Sequence, residues 1–311
     1  MSLPRRAVAG LAAVLAAGAV AACGDGAADG ADGATTIVAT TTQLGDLARA
    51  VAGDRADVRQ VLEPGSDPHA YEPRPSDVRA VAAAKVVVRS GGDLDAWLGD
   101  VLRNAGSDAR ALTILDGLRT RRGPDGVDPH WWQNPRNAVI AVERIRDAVI
   151  EADPEGRVAY ASNAASYLEQ VRALDRAIAT CMRRIPRRER RLVTDHDALG
   201  YYADRYDIDV VGTVIPALSS QAQASAGGVA RLVRTVRSAG VAAIFPESSV
   251  NPKLTRAIAR DAGAKVGPAL YADSLGPKGS AGATYLGSLR ANTTALVTGF
   301  TAGRRRCELP G

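Results

Sequence analysis

Each histidine of the chain lies close behind an aspartate, and the chain contains only 3 histidines. His69 and His130 end Asp-Pro-His triplets, and His196 follows Asp195 where a β-like run ends. Imidazole nitrogen is the commonest protein ligand for transition metals. Because no histidine is left for an ordinary position, this pattern indicates a chain organised around one metal ion. Any one of these segments could be a simple turn, so the prediction depends on all three together.

The elements that must position these side chains form two α/β series. In both series, short apolar runs alternate with segments of helical spacing, which predicts parallel sheets covered by helices on both faces. The predicted strands of the first series are residues 36–41, 58–62, 85–89 and 111–115. The predicted strands of the second series are residues 192–194, 209–214, 241–245 and 265–270.

Between the two series, residues 158–185 contain no glycine or proline, and apolar residues recur every three or four positions. This spacing predicts one long, rigid helix. The predicted fold class is therefore α/β, with two lobes, each a mostly parallel sheet flanked by helices, joined by that helix. The predicted boundaries are residues 35–157 for the N-terminal lobe, 158–185 for the linking helix and 186–311 for the C-terminal lobe.

The candidate ligands all follow the carboxyl ends of predicted strands. His69 and His130 come after the second and fourth strands of the first series, and His196 and Asp273 come after the first and last strands of the second. Ligands of open parallel sheets bind in the crevice beyond these strand ends. If the two lobes face each other, the four side chains meet in the cleft between them, although Asp273 also lies in a good turn sequence.

Three imidazoles and one carboxylate suit Zn²⁺ in four-coordinate geometry, whereas Mn²⁺ favours more oxygen ligands. The predicted ion is therefore Zn²⁺, with Mn²⁺ as the alternative. Four acids are predicted to orient the imidazole rings by accepting the remaining ring N–H, namely Asp67, Glu72, Asp128 and Asp195. Glu247 also ends a predicted strand; it is interpreted as an electrostatic neighbour or a helix-start acid, with a further ligand as the alternative.

The N-terminus resembles an export signal. Arg5 and Arg6 precede an apolar run at residues 7–22, which is typical of a secretory signal peptide and too short to span a bilayer comfortably. Small residues before Cys23 resemble a bacterial lipobox, so residues 1–22 are predicted to be removed and Cys23 to be lipidated. The alternative is an ordinary signal peptide cleaved near residue 22. Residues 23–34 are predicted to form a flexible tether, which places the protein at the extracytoplasmic face of the cell membrane.

Composition narrows the remaining possibilities. The formal net charge of +5 is modest and aromatic residues make up 4% of the chain, whereas nucleic-acid binding needs a basic stripe and often aromatic platforms. Nucleic acid is therefore excluded as a partner. Outside the cytoplasm, Cys181 and Cys307 could form a disulfide, with two free thiols as the alternative.

Three segments carry a family resemblance: Asp-Pro-His-Ala-Tyr-Glu-Pro at residues 67–73, Asp-Pro-His-Trp-Trp at 128–132 and Thr-Asp-His-Asp-Ala-Leu-Gly-Tyr at 194–201. They resemble the motifs of the zinc/manganese solute-binding proteins of ABC transporters, of the cluster A-I or zinc-uptake type. The resemblance spans residues 35–302. It implies two α/β lobes joined by a long helix and metal ligands at His69, His130, His196 and Asp273. It also implies a lipoprotein or periplasmic protein that passes metal to a membrane permease.

The sequence departs from many zinc-specific members of that family, because residues 117–128 form a short segment without histidine where those members carry a long histidine-rich loop. The expected function is metal capture and delivery to an ABC permease by a monomer, not catalysis.

One alternative function is a zinc hydrolase, which needs an open coordination position and a base such as Glu72 or Glu247. Another is a surface adhesin stabilised by metal.

Overall fold

The computed structural model describes residues 35–123 and 125–311, so the predicted signal peptide, the tether and Cys23 lie outside the described residues. Two parallel sheets flanked by helices dominate the described chain, which confirms the predicted α/β class. Within these ranges, no helix is both long and apolar enough to cross a membrane.

The first sheet has four parallel strands in the order β2-β1-β3-β4. These strands are β1 (Thr35–Ala39), β2 (Ala56–Gln60), β3 (Val86–Arg89) and β4 (Arg110–Thr113). The helices that follow them are α1 (Thr42–Ala52), α2 (Pro75–Ala82), α3 (Leu98–Ala105) and α4 (Pro135–Ala152). Val86 and Val88 pack with α1 and α4, and Val87 packs with α2 and α3 on the opposite face. The unbroken valine run of β3 is therefore buried on both faces, as in other parallel sheets.

The short segment without histidine, residues 117–128, contains a small antiparallel hairpin. Its two strands are β5 (Arg122–Gly123) and β6 (Gly126–Val127). The hairpin leads directly into the second Asp-Pro-His triplet, so it sets the direction from which His130 enters the molecule.

The second sheet repeats the strand order of the first. Its strands are β7 (Arg191–Thr194), β8 (Asp209–Thr213), β9 (Ala243–Ile244) and β10 (Lys265–Val266). β7 pairs with β8 and β9 with β10, and an isolated parallel bridge from Thr194 to Phe245 joins the two pairs. Its helices are α6 (Gly200–Tyr206), α7 (Ala226–Ala239), α8 (Lys253–Ala262) and α9 (Tyr285–Phe300). The last two strands are shorter than predicted because, after Ile244 and Val266, only isolated bridges continue the ladder.

The long helix α5 (Arg157–Arg183) contains 27 residues and therefore extends about 40 Å. Its buried face packs against α1 and α4 of the first half and against α6 and α9 of the second. The main apolar core runs without interruption from the first sheet across α5 to α9. Because both halves share this core, α5 acts as a common spine. Near its end, Cys181 is joined by a disulfide to Cys307, 126 residues further along the chain.

Candidate metal centre

Four side chains converge between the two sheets, each from a loop beyond the carboxyl end of a strand. His69 follows β2, His130 follows β4 and the hairpin, His196 follows β7, and Asp273 follows the bridge at Leu270. One donor atom from each lies within 4.8 Å of the donors of the other three. The structure thus brings together the four residues that the sequence predicted as ligands.

The spacing of the imidazole nitrogens fits a single ion. Nε2 of His130 lies 3.3 Å from Nε2 of His69 and 3.4 Å from Nε2 of His196. Two nitrogens bound to one tetrahedral Zn²⁺ at 2.0–2.1 Å are separated by about 3.4 Å. Both of these separations match the distance that coordination of one ion requires, and the donor atoms of all three rings lie within 4.8 Å of one another.

Asp273 completes this centre with both of its carboxylate oxygens. Its Oδ1 lies 3.3 Å from Nε2 of His130, and its Oδ2 lies 3.2 Å from Nε2 of His196 and 3.6 Å from Nε2 of His69. The residue is only 1% exposed, and among the described residues neither oxygen has a hydrogen-bond partner. A buried carboxylate without partners is costly, so these two oxygens fit a cation held between them and the imidazoles.

His130 is fixed by an acid within its own triplet. Oδ1 of Asp128 accepts hydrogen bonds from the backbone N–H of His130 at 3.0 Å and from its ring Nδ1 at 2.7 Å. Oδ2 of Asp128 accepts from Nη1 of Arg121 at 3.0 Å. The Nδ1 contact leaves the other ring nitrogen, Nε2, free to point at the centre. Both His130 and Asp128 are fully buried.

His196 receives the same support from a distant residue. Oε1 of Glu247 accepts from the backbone N–H of His196 at 3.0 Å and from its ring Nδ1 at 2.9 Å. Asp195, which the sequence predicted in this role, instead accepts from the backbone N–H of Glu247 at 2.8 Å and from Thr255. Burial and the nearby Glu247 charge raise the pKa of Asp195 to about 7.

His69 is the ligand at the rim of the centre. Oδ1 of Asp67 accepts from the backbone N–H of His69 at 2.9 Å, so this acid fixes the turn and not the ring. Oδ2 of Asp67 accepts from Oγ of Ser220 at 2.5 Å and from Nε2 of Gln221 at 3.0 Å. These bonds connect the first triplet to a loop of the other half. A cavity of 450 Å³ adjoins His69, and its walls include Asp93 and Leu218.

The electrostatics of the cluster favour positive charge at its centre. Burial lowers the pKa of His69 to about 4. Burial would also lower the pKa of His196, but the Glu247 and Asp273 carboxylates raise it well above its usual range. Burial alone would raise the pKa of Asp273, yet the charges of His196 and the other two imidazoles hold it below its usual range. The carboxylates therefore stabilise a cation where the four side chains meet.

Of the four acids that the sequence predicted to orient the imidazole rings, only Asp128 contacts a ring nitrogen among the described residues. Several supporting residues were not predicted. Glu72 is exposed, and no hydrogen bond among the described residues joins it to a histidine. Ala272, beside Asp273, accepts from Nε1 of Trp132 at 2.8 Å and from Nε2 of Gln133 at 2.7 Å. These bonds hold the Asp273 loop against the His130 loop. The Trp-Trp-Gln run after His130 was the available signal, but its partner lies in the other half of the chain.

Comparison with known proteins gives a family and a fold. The family profile described as "ZnuA: Zinc-uptake complex component A periplasmic" matches residues 37–299. The manganese-binding lipoprotein MntA of Halalkalibacterium halodurans is 33% identical over 268 residues, covering 85% of this chain and 88% of the relative. The iron-binding protein YfeA of Yersinia pestis is 30% identical over 269 residues, covering 85% and 86%.

Two solved structures share the fold. The periplasmic zinc-binding protein TroA from Treponema pallidum matches with a TM-score of 0.80 and 23% identity, over 86% of this chain and 99% of that one. The cadmium-bound periplasmic metal-binding protein from Candidatus Liberibacter asiaticus matches with a TM-score of 0.78 and 25% identity, over 86% and 99%. Both matches extend over nearly the whole length of the solved chains.

Proposed function

Because the chain belongs to the family of periplasmic zinc-uptake complex components, we propose that it captures one divalent transition-metal ion outside the cytoplasm and delivers it to an ABC permease. The observation that carries this proposal is the pair of buried, unpartnered oxygens of Asp273, which face three converging imidazole nitrogens. Three neutral nitrogens and one carboxylate supply the ion with four donors and one negative charge from the protein.

The proposed ligands are His69, His130, His196 and Asp273. Zinc is the proposed first choice, because a nitrogen-rich donor set and nitrogen separations of 3.3 and 3.4 Å suit its tetrahedral geometry. Manganese is the alternative, since Asp273 presents both oxygens to the centre and could supply two of a larger number of ligands. Relatives named for manganese and for iron support keeping that alternative.

Lipid attachment at Cys23 is the proposed anchor, with residues 23–34 as the tether. Relatives named as lipoproteins support an extracytoplasmic position at the cell membrane. We further propose that the chain works as a monomer, with residues 35–157 and 186–311 as lobes and residues 158–185 as the connector. Its partner is the permease of the same transporter.

Capture, not catalysis, is the proposed chemistry. A hydrolytic zinc site keeps one coordination position for water and has a base beside it. Four protein side chains supply donors at this centre. The two acids considered as bases are poorly placed, because Glu72 is exposed and Oε1 of Glu247 is bound to the Nδ1 side of His196.

Native mass spectrometry of protein purified without added metal tests the proposal. We expect one transition-metal ion per chain, removable by a chelator and restored by zinc, with manganese added in a competing series. A chain that takes up no ion, or more than one with equal affinity, would refute the single-ion centre. Preference for manganese in the competing series would overturn the choice of zinc while leaving metal capture intact.

A further inference from the structure

The second half carries a concentrated positive surface at the end of the half away from the metal centre. We call this surface the basic end. It combines the last turns of α5, the short connection to β7 and the C-terminal tail. Its exposed arginines are Arg176, Arg183, Arg184, Arg187, Arg188, Arg304, Arg305 and Arg306. The first five and the last three lie far apart in sequence, so their proximity depends on how the tail is held.

Three contacts hold the tail beside α5. The disulfide between Cys181 and Cys307 brings their Cα atoms to 5.8 Å. Nη2 of Arg304 lies 3.0 Å from Oε2 of Glu189. Nε of Arg290 on α9 donates to the backbone oxygen of Pro310 at 2.5 Å. Because these contacts fix the tail on both sides of Arg305 and Arg306, the two groups of arginines form one surface.

Few acids neutralise this surface. Among the described residues, the eight arginines make two ion pairs, Arg187 with Asp207 at 3.0 Å and Arg304 with Glu189 at 3.0 Å. A groove of 610 Å³ runs between the groups, lined by Arg176, Arg184 and Arg306 with Glu308 as its acid. A solvent-exposed excess of guanidinium groups around a groove suits phosphate, which guanidinium binds through paired hydrogen bonds.

The basic end lies at the last turn of α5. The first strand of the described chain starts near the other end of this helix. Near its start, α5 is bound to the first half, where Asn163 donates to the backbone oxygen of Val51 and Arg55 pairs with Asp153. It ends just before Arg191, where β7 begins. About 40 Å of helix therefore separates the amino-terminal edges of the two sheets, while the metal centre lies beyond their carboxyl ends.

We propose that the basic end binds anionic phospholipid headgroups and gives the protein a second point of contact with the membrane. This inference rests on the proposed lipid anchor at Cys23. The described chain starts at Thr35, which pairs with Ala56 at the edge of the first sheet near the start of α5. A lipid chain combined with a basic patch is an effective pair of membrane attachments. On this proposal, attachment at the basic end as well as at the lipid anchor fixes the orientation of the protein on the membrane.

Chemical footprinting of the full acylated chain tests the proposal. The chain is placed on vesicles of neutral phosphatidylcholine or on vesicles that also contain phosphatidylglycerol, and arginines are modified with a dicarbonyl reagent and mapped by peptide mass spectrometry. On anionic vesicles we expect Arg187, Arg188 and Arg305 to react at least about fivefold more slowly. The reason is that attraction of one basic residue to an anionic surface strengthens its binding by about that factor. Exposed Arg256 and Arg260 on α8 serve as internal controls.

Matched variants separate a specific surface from overall charge. Arg304→Gln, Arg305→Gln and Arg306→Gln together should restore the reaction rate of Arg188 on anionic vesicles to its rate on neutral ones. The matched control triple, Arg103→Gln, Arg256→Gln and Arg260→Gln, removes the same charge elsewhere and should leave the protection unchanged. High salt should abolish protection, because exposed charges are screened.

Four results would overturn the proposal. They are equal modification on both vesicles, protection that survives high salt, protection by soluble inorganic phosphate alone, and protection that appears only when neutral vesicles contain the permease. The last would assign the surface to a protein partner. Failure of the lipid anchor is distinguishable, because the chain would then not float with neutral vesicles, and failure of metal capture would appear in metal stoichiometry measured without vesicles.

Discussion

Asp128 holds both the backbone N–H and the ring Nδ1 of His130 with one carboxylate oxygen, at 3.0 and 2.7 Å. Replacing Asp128 with Asn removes the charge that fixes the ring. We expect the affinity for zinc to fall by about 10–100-fold, as is usual for such partners of a ligand. Isothermal calorimetry with a competing chelator measures the change. Glu72→Gln, an exposed acid in the first motif, is the matched control and should bind normally; equal losses in both variants would contradict the role of Asp128.

Removing a ligand should have a larger effect than removing its partner. His130→Ala deletes one of four converging donors, and we expect affinity to fall by about 100-fold or more, beyond the range for supporting residues. Circular dichroism should show the fold intact, because the core lies along α5 and the sheets. Unchanged affinity in a folded variant would remove His130 from the ligand set.

The bonds from Asp67 to Ser220 and Gln221 cross between the two halves at the rim of the centre. Changing Ser220 and Gln221 to Ala together removes both bonds without touching a ligand. We expect metal release to become about tenfold faster, since two hydrogen bonds to a charged group are lost. Stopped-flow mixing with a coloured chelator measures the rate. Gln223→Ala, exposed in the same loop, is the control. The same release rate in all three proteins would show that the bonds to Asp67 do not slow metal release.

The disulfide between Cys181 and Cys307 should contribute to stability. It closes a long loop, so replacing both cysteines with Ser should lower the free energy of unfolding by about 2–4 kcal/mol. Urea unfolding with and without reductant provides the measurement. The wild-type chain should lose stability in reductant, while the double variant should be insensitive to it. A wild-type chain that reductant leaves unchanged would show that the two thiols are free.

Asp153 predicts a pH dependence of stability away from the metal centre. Hydrogen bonds from Arg55 and Tyr160 lower the pKa of its carboxyl to about 2, from an ordinary value of 3.8. Since the folded pKa lies below the unfolded one, the stabilisation is complete above about pH 4 and is lost as the pH falls toward 2. Asp153→Asn should therefore be less stable than the wild type at pH 7 and closer to it at pH 2.

Thermal unfolding followed across that pH range checks the expectation. Asp108→Asn is the matched control, because Asp108 is exposed and makes no hydrogen bond through its side chain with the described residues. A difference between wild type and Asp153→Asn that stays constant from pH 7 to pH 2 would contradict the assignment.

Periodicity predicted the fold well where it reported burial of a whole element. The uninterrupted helical spacing of residues 158–185 corresponds closely to α5, at Arg157–Arg183. Periodicity predicted β9 and β10 too long. Phe245 and Leu270 are buried like strand residues, but at these positions the strands pair only through isolated bridges. An apolar run reports that residues lie inside, and it does not report which backbone groups pair.

The candidate ligands were predictable because histidine was so scarce, but their supports were only partly so. Asp128 supports the ring of His130 from two residues away, which a local motif can indicate. Glu247 supports His196 from 51 residues away, whereas the adjacent Asp195 binds the backbone of Glu247 instead. Adjacency in the sequence therefore favoured Asp195, whereas the fold brings the distant Glu247 to the ring.

The two sheets repeat one strand order, and each half supplies two of the four donors. A polypeptide cut into halves would therefore leave each fragment with an incomplete coordination sphere, so neither fragment alone could hold an ion as the whole chain does. Metal binding would then promote association of the two fragments, and the amount of reassembled protein would report the metal concentration.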